Sequence, residues 1–282
     1  MFPDADPFDA LEVLHGSPLD CAARARKNPP NGFEGHGLPV YLASGLFRAG
    51  TRRREIRERM PLAFPDAPDT RGPRLRARFS GERFDQDDLD VFLACVELAL
   101  ADGGTARFNA NALLHRLERR VSPQARHCLA ASLWRMEAGR LELADGSRNT
   151  CVRLFSTVLV DHLGGACRVG VHSEVLGVFR AYPGLAALIR DRLRLKGRPM
   201  VQWLLGFLRV FPEDCLLDPL KLGGLCGGPA GARRPFAARV HESLKYLADM
   251  GYLAGLSIRP DGRALITRPD SLAASGKCLL LV

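Results

Sequence analysis

A helix that runs through a glycine into a strand occurs twice in this chain with similar residues, and that repeat restricts the fold more than any other feature. Ser132-Leu133-Trp134-Arg135-Met136-Glu137-Ala138-Gly139-Arg140-Leu141 returns as Ser243-Leu244-Lys245-Tyr246-Leu247-Ala248-Asp249-Met250-Gly251-Tyr252-Leu253, with one residue inserted. In both copies an apolar helix seam meets a glycine expected to cap the helix in the left-handed conformation, and the next strand sends a leucine back to the core. Such joints are common singly, so the order of elements around them carries the argument.

That order also repeats. Asp85-Gln86-Asp87-Asp88 places acids at the positive end of a helix running on through Leu89, Val91, Phe92, Cys95 and Val96. Gly103-Gly104 ends it, Ala106 to Phe108 reads as a short strand, and Asn109 opens a second helix. Ser122-Pro123 starts a third, with serine as N-cap and proline at the first helical position. Arg140 to Ala144 and Thr150 to Val160 then form a hairpin around Asp145-Gly146-Ser147-Arg148. After a link strand from Cys167 to Val171, helices are predicted near Gly184 to Leu195, Pro199 to Phe211 and Asp218 to Leu225. Gly227-Gly228-Pro229 breaks the chain before a long helix over Ala232 to Met250 and a second hairpin, Tyr252 to Ile258 with Arg263 to Thr267. Three helices followed by a hairpin is the winged-helix order. The expected fold class is therefore α+β, mainly helical, with two tandem winged-helix domains of three helices and a β-hairpin wing each. The expected limits are a flexible acidic, Pro-rich leader (1–40), a first domain with a basic arm before it (41–165), a second domain (166–270) and a tail (271–282).

Charge indicates the partner. The 282 residues carry 40 Lys and Arg against 31 Asp and Glu, a formal charge of +9, which favours a polyanion through counterion release. An Arg-rich genome would produce the same excess. Distribution is more informative: Asp4, Asp6, Asp9, Glu12 and Asp20 stand in a leader whose first twenty residues hold no Lys or Arg, whereas Arg48 to Arg83 holds eleven Arg against five acids. In a winged-helix unit the third helix enters the major groove and the wing reaches the backbone. Gln124, Arg126 and His127 hold that helix position in the first unit, with Arg148 and Arg153 on its wing. Arg233, Arg234, Arg239 and Lys245 hold it in the second, with Arg259 and Arg263 on the wing. Each also reads as ordinary solvated surface. Arg233 and Arg234 oppose the helix dipole, so an external anion accounts for them best.

Other chemistries lack their residues. The eight cysteines are scattered, most in apolar runs and none as a C-x-x-C pair, which fits buried reduced thiols in a cytoplasm; Cys167 and His172 come nearest to a metal pair, and no metal is expected. No signal peptide or membrane span is expected. A phosphate-binding G-x-x-x-x-G-K-[ST] loop, an H-E-x-x-H pair and a Ser/His/Asp arrangement are missing, so no catalytic residue, enzyme activity or cofactor is expected. Gln202-Trp203-Leu204-Leu205-Gly206-Phe207 matches a pattern that binds bacterial sliding clamps, but its apolar residues are wanted by the core, and core packing is the preferred reading.

Tyr41 to Phe47 (YLASGLF), Phe84 to Phe92 (FDQDDLDVF) and Leu222 to Gly228 (LGGLCGG) with the basic helix after it resemble TrfA-type plasmid replication initiators, over about Tyr41 to Arg268. The resemblance implies a protein that binds direct repeats, called iterons, at a plasmid origin as double-stranded DNA. It further implies help in opening the origin, recruitment of a host replicative helicase and sliding clamp, and exchange of a homodimer for monomers, in the cytoplasm. Many members carry more lysine and aromatic residues in the DNA-facing helix than Ala232 to Met250 does, so repeat sequence and host partners do not transfer. A transcriptional repressor on an operator and a protein-interaction scaffold are the alternatives from the same fold.

Overall fold

The computed structural model describes residues 38–50, 55–63, 76–144, 149–161, 163–211, 214–227, 233–269 and 279–281. The expected leader through residue 37, much of the basic arm and the hairpin tip from Asp145 to Arg148 lie outside them. The described chain opens with α1 (Leu38–Leu42) and β1 (Phe47–Arg48), then β2 (Ile56–Leu62) and β3 (Arg76–Glu82), β4 (Phe84–Asp85), α2 (Gln86–Ala101), β5 (Thr105–Asn109), α3 (Ala110–Arg116) and α4 (Pro123–Ala138). It continues through β6 (Arg140–Ala144), β7 (Asn149–Arg153), β8 (Phe155–Val160), β9 (Ala166–Val171), α5 (Ser173–Arg180), α6 (Leu185–Arg194), α7 (Pro199–Val210), β10 (Cys215–Leu217) and α8 (Pro219–Leu225). The last elements are α9 (Arg233–Asp249), β11 (Gly255–Ile258), β12 (Ala264–Thr267) and β13 (Leu279–Leu281).

The chain is α+β, and helix–strand–helix–helix–hairpin occurs twice, as α2-β5-α3-α4-β6-β7 and α7-β10-α8-α9-β11-β12. The two copies close differently. In the second, β10 pairs antiparallel with β12, which pairs with β11, so the strand between the first two helices extends the hairpin's sheet. In the first, β5 pairs with β9 instead, and the β6–β7 hairpin joins β2 and β3 in a four-stranded sheet.

Three sequence expectations need correction. The strand expected from Thr150 to Val160 is two strands: β7 pairs with β6, then buried Leu154 breaks the ladder and β8 moves to β9 in another sheet. Helix α5 and strand β10 were not anticipated, because Gly177 interrupts the helical seam of the one and three apolar residues are too few to show a period in the other. Gly139 does not adopt the left-handed cap expected of it, having φ −66, whereas Gly251 does, at φ +78. Gly139 is needed for space: a Cβ there would meet the Phe84 ring at 2.9 Å and the Phe79 ring at 3.0 Å.

Local signals hold elsewhere. Asp85 accepts from the Asp88 amide at 3.0 Å while Asp88 accepts from the Asp85 amide at 3.2 Å, a reciprocal cap that starts α2. Asp88 then does more than complement the dipole. Ser132 and Arg135 of α4 donate to its Oδ1 at 2.6 and 2.5 Å, so this buried carboxylate also docks α4. The leucines after the two repeated glycines, Leu141 and Leu253, both return to the core. Around Phe92 the rings of Tyr41, Phe47, Phe155 and Phe179 stand 5.5 to 6.0 Å away, joining β1, β8, α1 and α5 to α2.

Buried polar groups connect the copies. Arg192 of α6 is fully buried and donates to Asp90 Oδ1 at 2.7 Å, to Gln86 Oε1 at 2.9 Å and to the Gln86 and Gln202 carbonyls at 3.1 and 3.2 Å. Gln202 of α7 donates back to Asp90 Oδ2 at 3.3 Å. Nearby, Trp203 Nε1 donates to the Ser44 carbonyl at 3.1 Å, and Gly206 leaves room for the Leu42 carbonyl, which a Cβ would meet at 3.1 Å.

His172 caps α5 with its ring: Nδ1 accepts from the Glu174 amide at 3.4 Å. Burial holds this imidazole below its ordinary pKa, with Glu174 pulling the other way. The unfolded chain therefore binds the proton first, and stability falls as pH drops through the usual histidine range near ~6.5. Replacing His172 with Asn, which caps without titrating, should reduce that acid sensitivity; urea titrations of both proteins across this range check it.

Candidate nucleic-acid interface

Helix α9 is amphipathic because Phe236, Val240, Leu244 and Leu247 recur at helical spacing and are buried, leaving Arg234, Arg239, Glu242 and Lys245 exposed. Arg233 begins the helix; its side chain lies outside what is described. Arg234 and Lys245 are separated by three turns and share one side, with His241 beside them. His241 Nε2 is 2.9 Å from the Gly262 carbonyl, which fixes the wing turn against that side of α9. Exposed Arg259 belongs to the same turn, which Gly262 makes possible at φ +81.

Not every predicted residue joins this group. Arg239 projects from the other edge of the exposed face, beyond Glu242. Arg263 is held by Asp261 on its own turn, Nε to Oδ2 at 2.6 Å; that pairing raises the arginine's pKa and lowers the aspartate's. Arg268 is buried, with its backbone amide on Asp214 at 2.8 Å.

The first copy has a different surface. Gln124, Arg126 and His127 are all exposed near the start of α4, but two residues span about 200° of helix, so Gln124 and Arg126 project from opposite sides. Arg126 and His127 line a cleft of about 310 Å³ with Asp161, Leu163 and Cys167. Exposed Trp134 lies two turns beyond His127 on the same side of the helix, a residue missed because tryptophan in an apolar seam reads as core. Arg153 is exposed at the base of the wing, and Arg148 lies outside the described residues. The two third helices therefore present unlike faces.

Several expectations end here. Gln202, Trp203, Leu205 and Phe207 are buried to 2 % exposure or less, so in this fold the clamp-like motif serves the core and cannot receive a clamp. Cys95, Cys167, Cys215 and Cys226 are buried as anticipated, but Cys128 and Cys151 are exposed, on the outer faces of α4 and β7. Cys21 and Cys278 lie outside the described residues. Burial raises the Cys167 thiol to a pKa of about 11, and His172 Nδ1 caps α5. Among the described residues no cluster of three or more His, Cys, Asp or Glu could hold a metal, and no helix is long and apolar enough to cross a membrane.

No protein-family model matches the sequence, and no curated protein matches it significantly. Solved structures do share the fold. A crystal structure of domains 2 and 3 of RctB superposes with a TM-score of 0.53 at 14 % identity, covering 82 % of this chain and 98 % of that one. A second structure of RctB domains 2–3 gives 0.54 at 13 % identity over 83 % and 97 %. The likeness is one of architecture and spans almost the whole of both domains.

Proposed function

We propose that this chain is a replication initiator that binds duplex DNA sequence-specifically through two tandem winged-helix units, at about 41–165 and 166–270, with α9 as the principal reader. In this reading the DNA is a set of direct repeats at a plasmid origin. Binding promotes opening of adjacent DNA and brings in host replication proteins, without a cofactor or catalytic residue of the chain's own, in the cytoplasm. The observation carrying it is the fold shared with both domains of RctB, itself a replication initiator. The β11-β12-β10 order of the second copy and exposed Arg234, Lys245 and Arg259 support α9 as the groove-reading helix.

Footprinting of purified protein on DNA flanking its gene tests this. Several protected tandem repeats are expected, bound with nanomolar affinity that weakens steeply with salt. A single protected palindrome would make the protein a repressor, and no protection anywhere would leave a scaffold.

A further inference from the structure

The sheet β2-β3-β6-β7 has one face in the core and one in solvent, and its register fixes which side chains share the outer face. Opposite residues on antiparallel neighbours lie on the same side. Ala77 faces Leu143, while Phe79, Leu141 and Val152 form a second inward row; of these five, all are buried. The alternate rows are Arg76, Ala144 and Asn149; then Arg78, Glu142 and Cys151; then Ser80, Arg140 and Arg153.

Arg76, Arg78, Arg140 and Arg153 are exposed on this face and have no ion pair among the described residues. The one acid in these rows, Glu142, is matched by Arg59 reaching from β2, with Nη2 to Oε2 at 3.3 Å. Glu82, at the end of β3, is 3.9 Å from Arg135, and Glu58 stands at the margin where β2 bulges. Arg140 and Arg153 are direct cross-strand partners, so like charges oppose each other where the sheet would gain from an opposite pair. An external polyanion removes that conflict.

We infer that this outer face is a second contact surface for duplex DNA, gripping the phosphate backbone independently of α4 and α9. The inference rests on the DNA-binding reading above and adds a surface to it. Strand and residue spacings place the guanidinium stems roughly 5 to 7 Å apart in both directions, a grid on the scale of neighbouring phosphates. The rows hold no aromatic residue, so they provide no platform on which the bases of a single strand could stack. They contribute affinity without reading sequence.

The test is the full chain carrying Arg76→Gln, Arg78→Gln and Arg140→Gln together, compared with the parent on a specific duplex, a random duplex and the random single strand over a salt series. Thermal melting checks that the variant is folded, which is expected because all three side chains are exposed. The slope of log affinity against log salt should fall by about 2.7 on both duplexes, so the affinity lost between roughly 50 and 200 mM salt shrinks about 40-fold. The ratio of specific to random affinity should remain. An unchanged duplex slope, or a loss confined to the single strand, overturns the inference while leaving α9 as reader intact. A parent protein that binds no duplex at all overturns both readings.

Discussion

Replacing Arg192 with Met should destabilise the protein by about 3–5 kcal/mol, the range for breaking a buried ion pair from one side. The guanidinium makes four hydrogen bonds in full burial, and Asp90, itself 6 % exposed, would be left among the described residues with the Gln202 amide as its remaining hydrogen-bond partner. Gln86 would lose the partner of its Oε1, although its Nε2 still donates to the Phe47 carbonyl at 2.6 Å. Adding Asp90→Asn to the methionine variant should recover part of the loss, because the stranded charge is then gone. Urea unfolding of the two variants and the parent measures this. A methionine variant within about 1 kcal/mol of the parent would show that the pair contributes far less than its geometry indicates.

Arg233→Ala with Arg234→Ala should lower affinity for the specific duplex on the order of 100-fold or more, given about 1–3 kcal/mol for each good bidentate base contact. Folding should not suffer. Arg234 is exposed, and removing positive charge from the first turn of a helix relieves its repulsion with the dipole, by about 0.3–1 kcal/mol per residue. Affinity and stability should thus move in opposite directions, which separates a binding role from a structural one. Arg239→Ala, at the far edge of the exposed face, should weaken binding much less. Titrations of the three proteins against specific and random duplexes decide it; a double variant with parental affinity would remove α9 as the reader.

What was legible in the sequence was whatever a short window controls. Asp85, Asn109, Ser122 and Asp218 cap helices where their neighbours imply, and the repeated joint announced two helix–hairpin units. What escaped depends on partners distant in the chain. No local pattern tells that β7 stays with β6 while β8, one residue later, turns to β9. The guanidinium groups of Arg135 and Arg268 are both buried, one on Asp88, 47 residues away in sequence, and the other on the Leu208 carbonyl, 60 residues away. The outer sheet face combines both cases. The alternation from Arg74 to Phe79 predicts a half-exposed strand, but only the pairing with β6 and β7 reveals that arginines from three strands collect on one side. On α4, two of the residues grouped as neighbours face apart, since adjacency in sequence is not adjacency around a helix.

The Arg192 junction also bears on geometry. It ties α2, which opens the first copy, to α6 and to α7, which opens the second, through groups that cannot be parted without exposing unpaired charge. In the proposed reading a molecule so joined would act as a fixed calliper on its duplex: its two grips would differ in chemistry but keep one separation, and the length of DNA accepted would be set in the protein's interior rather than by the residues that touch the bases.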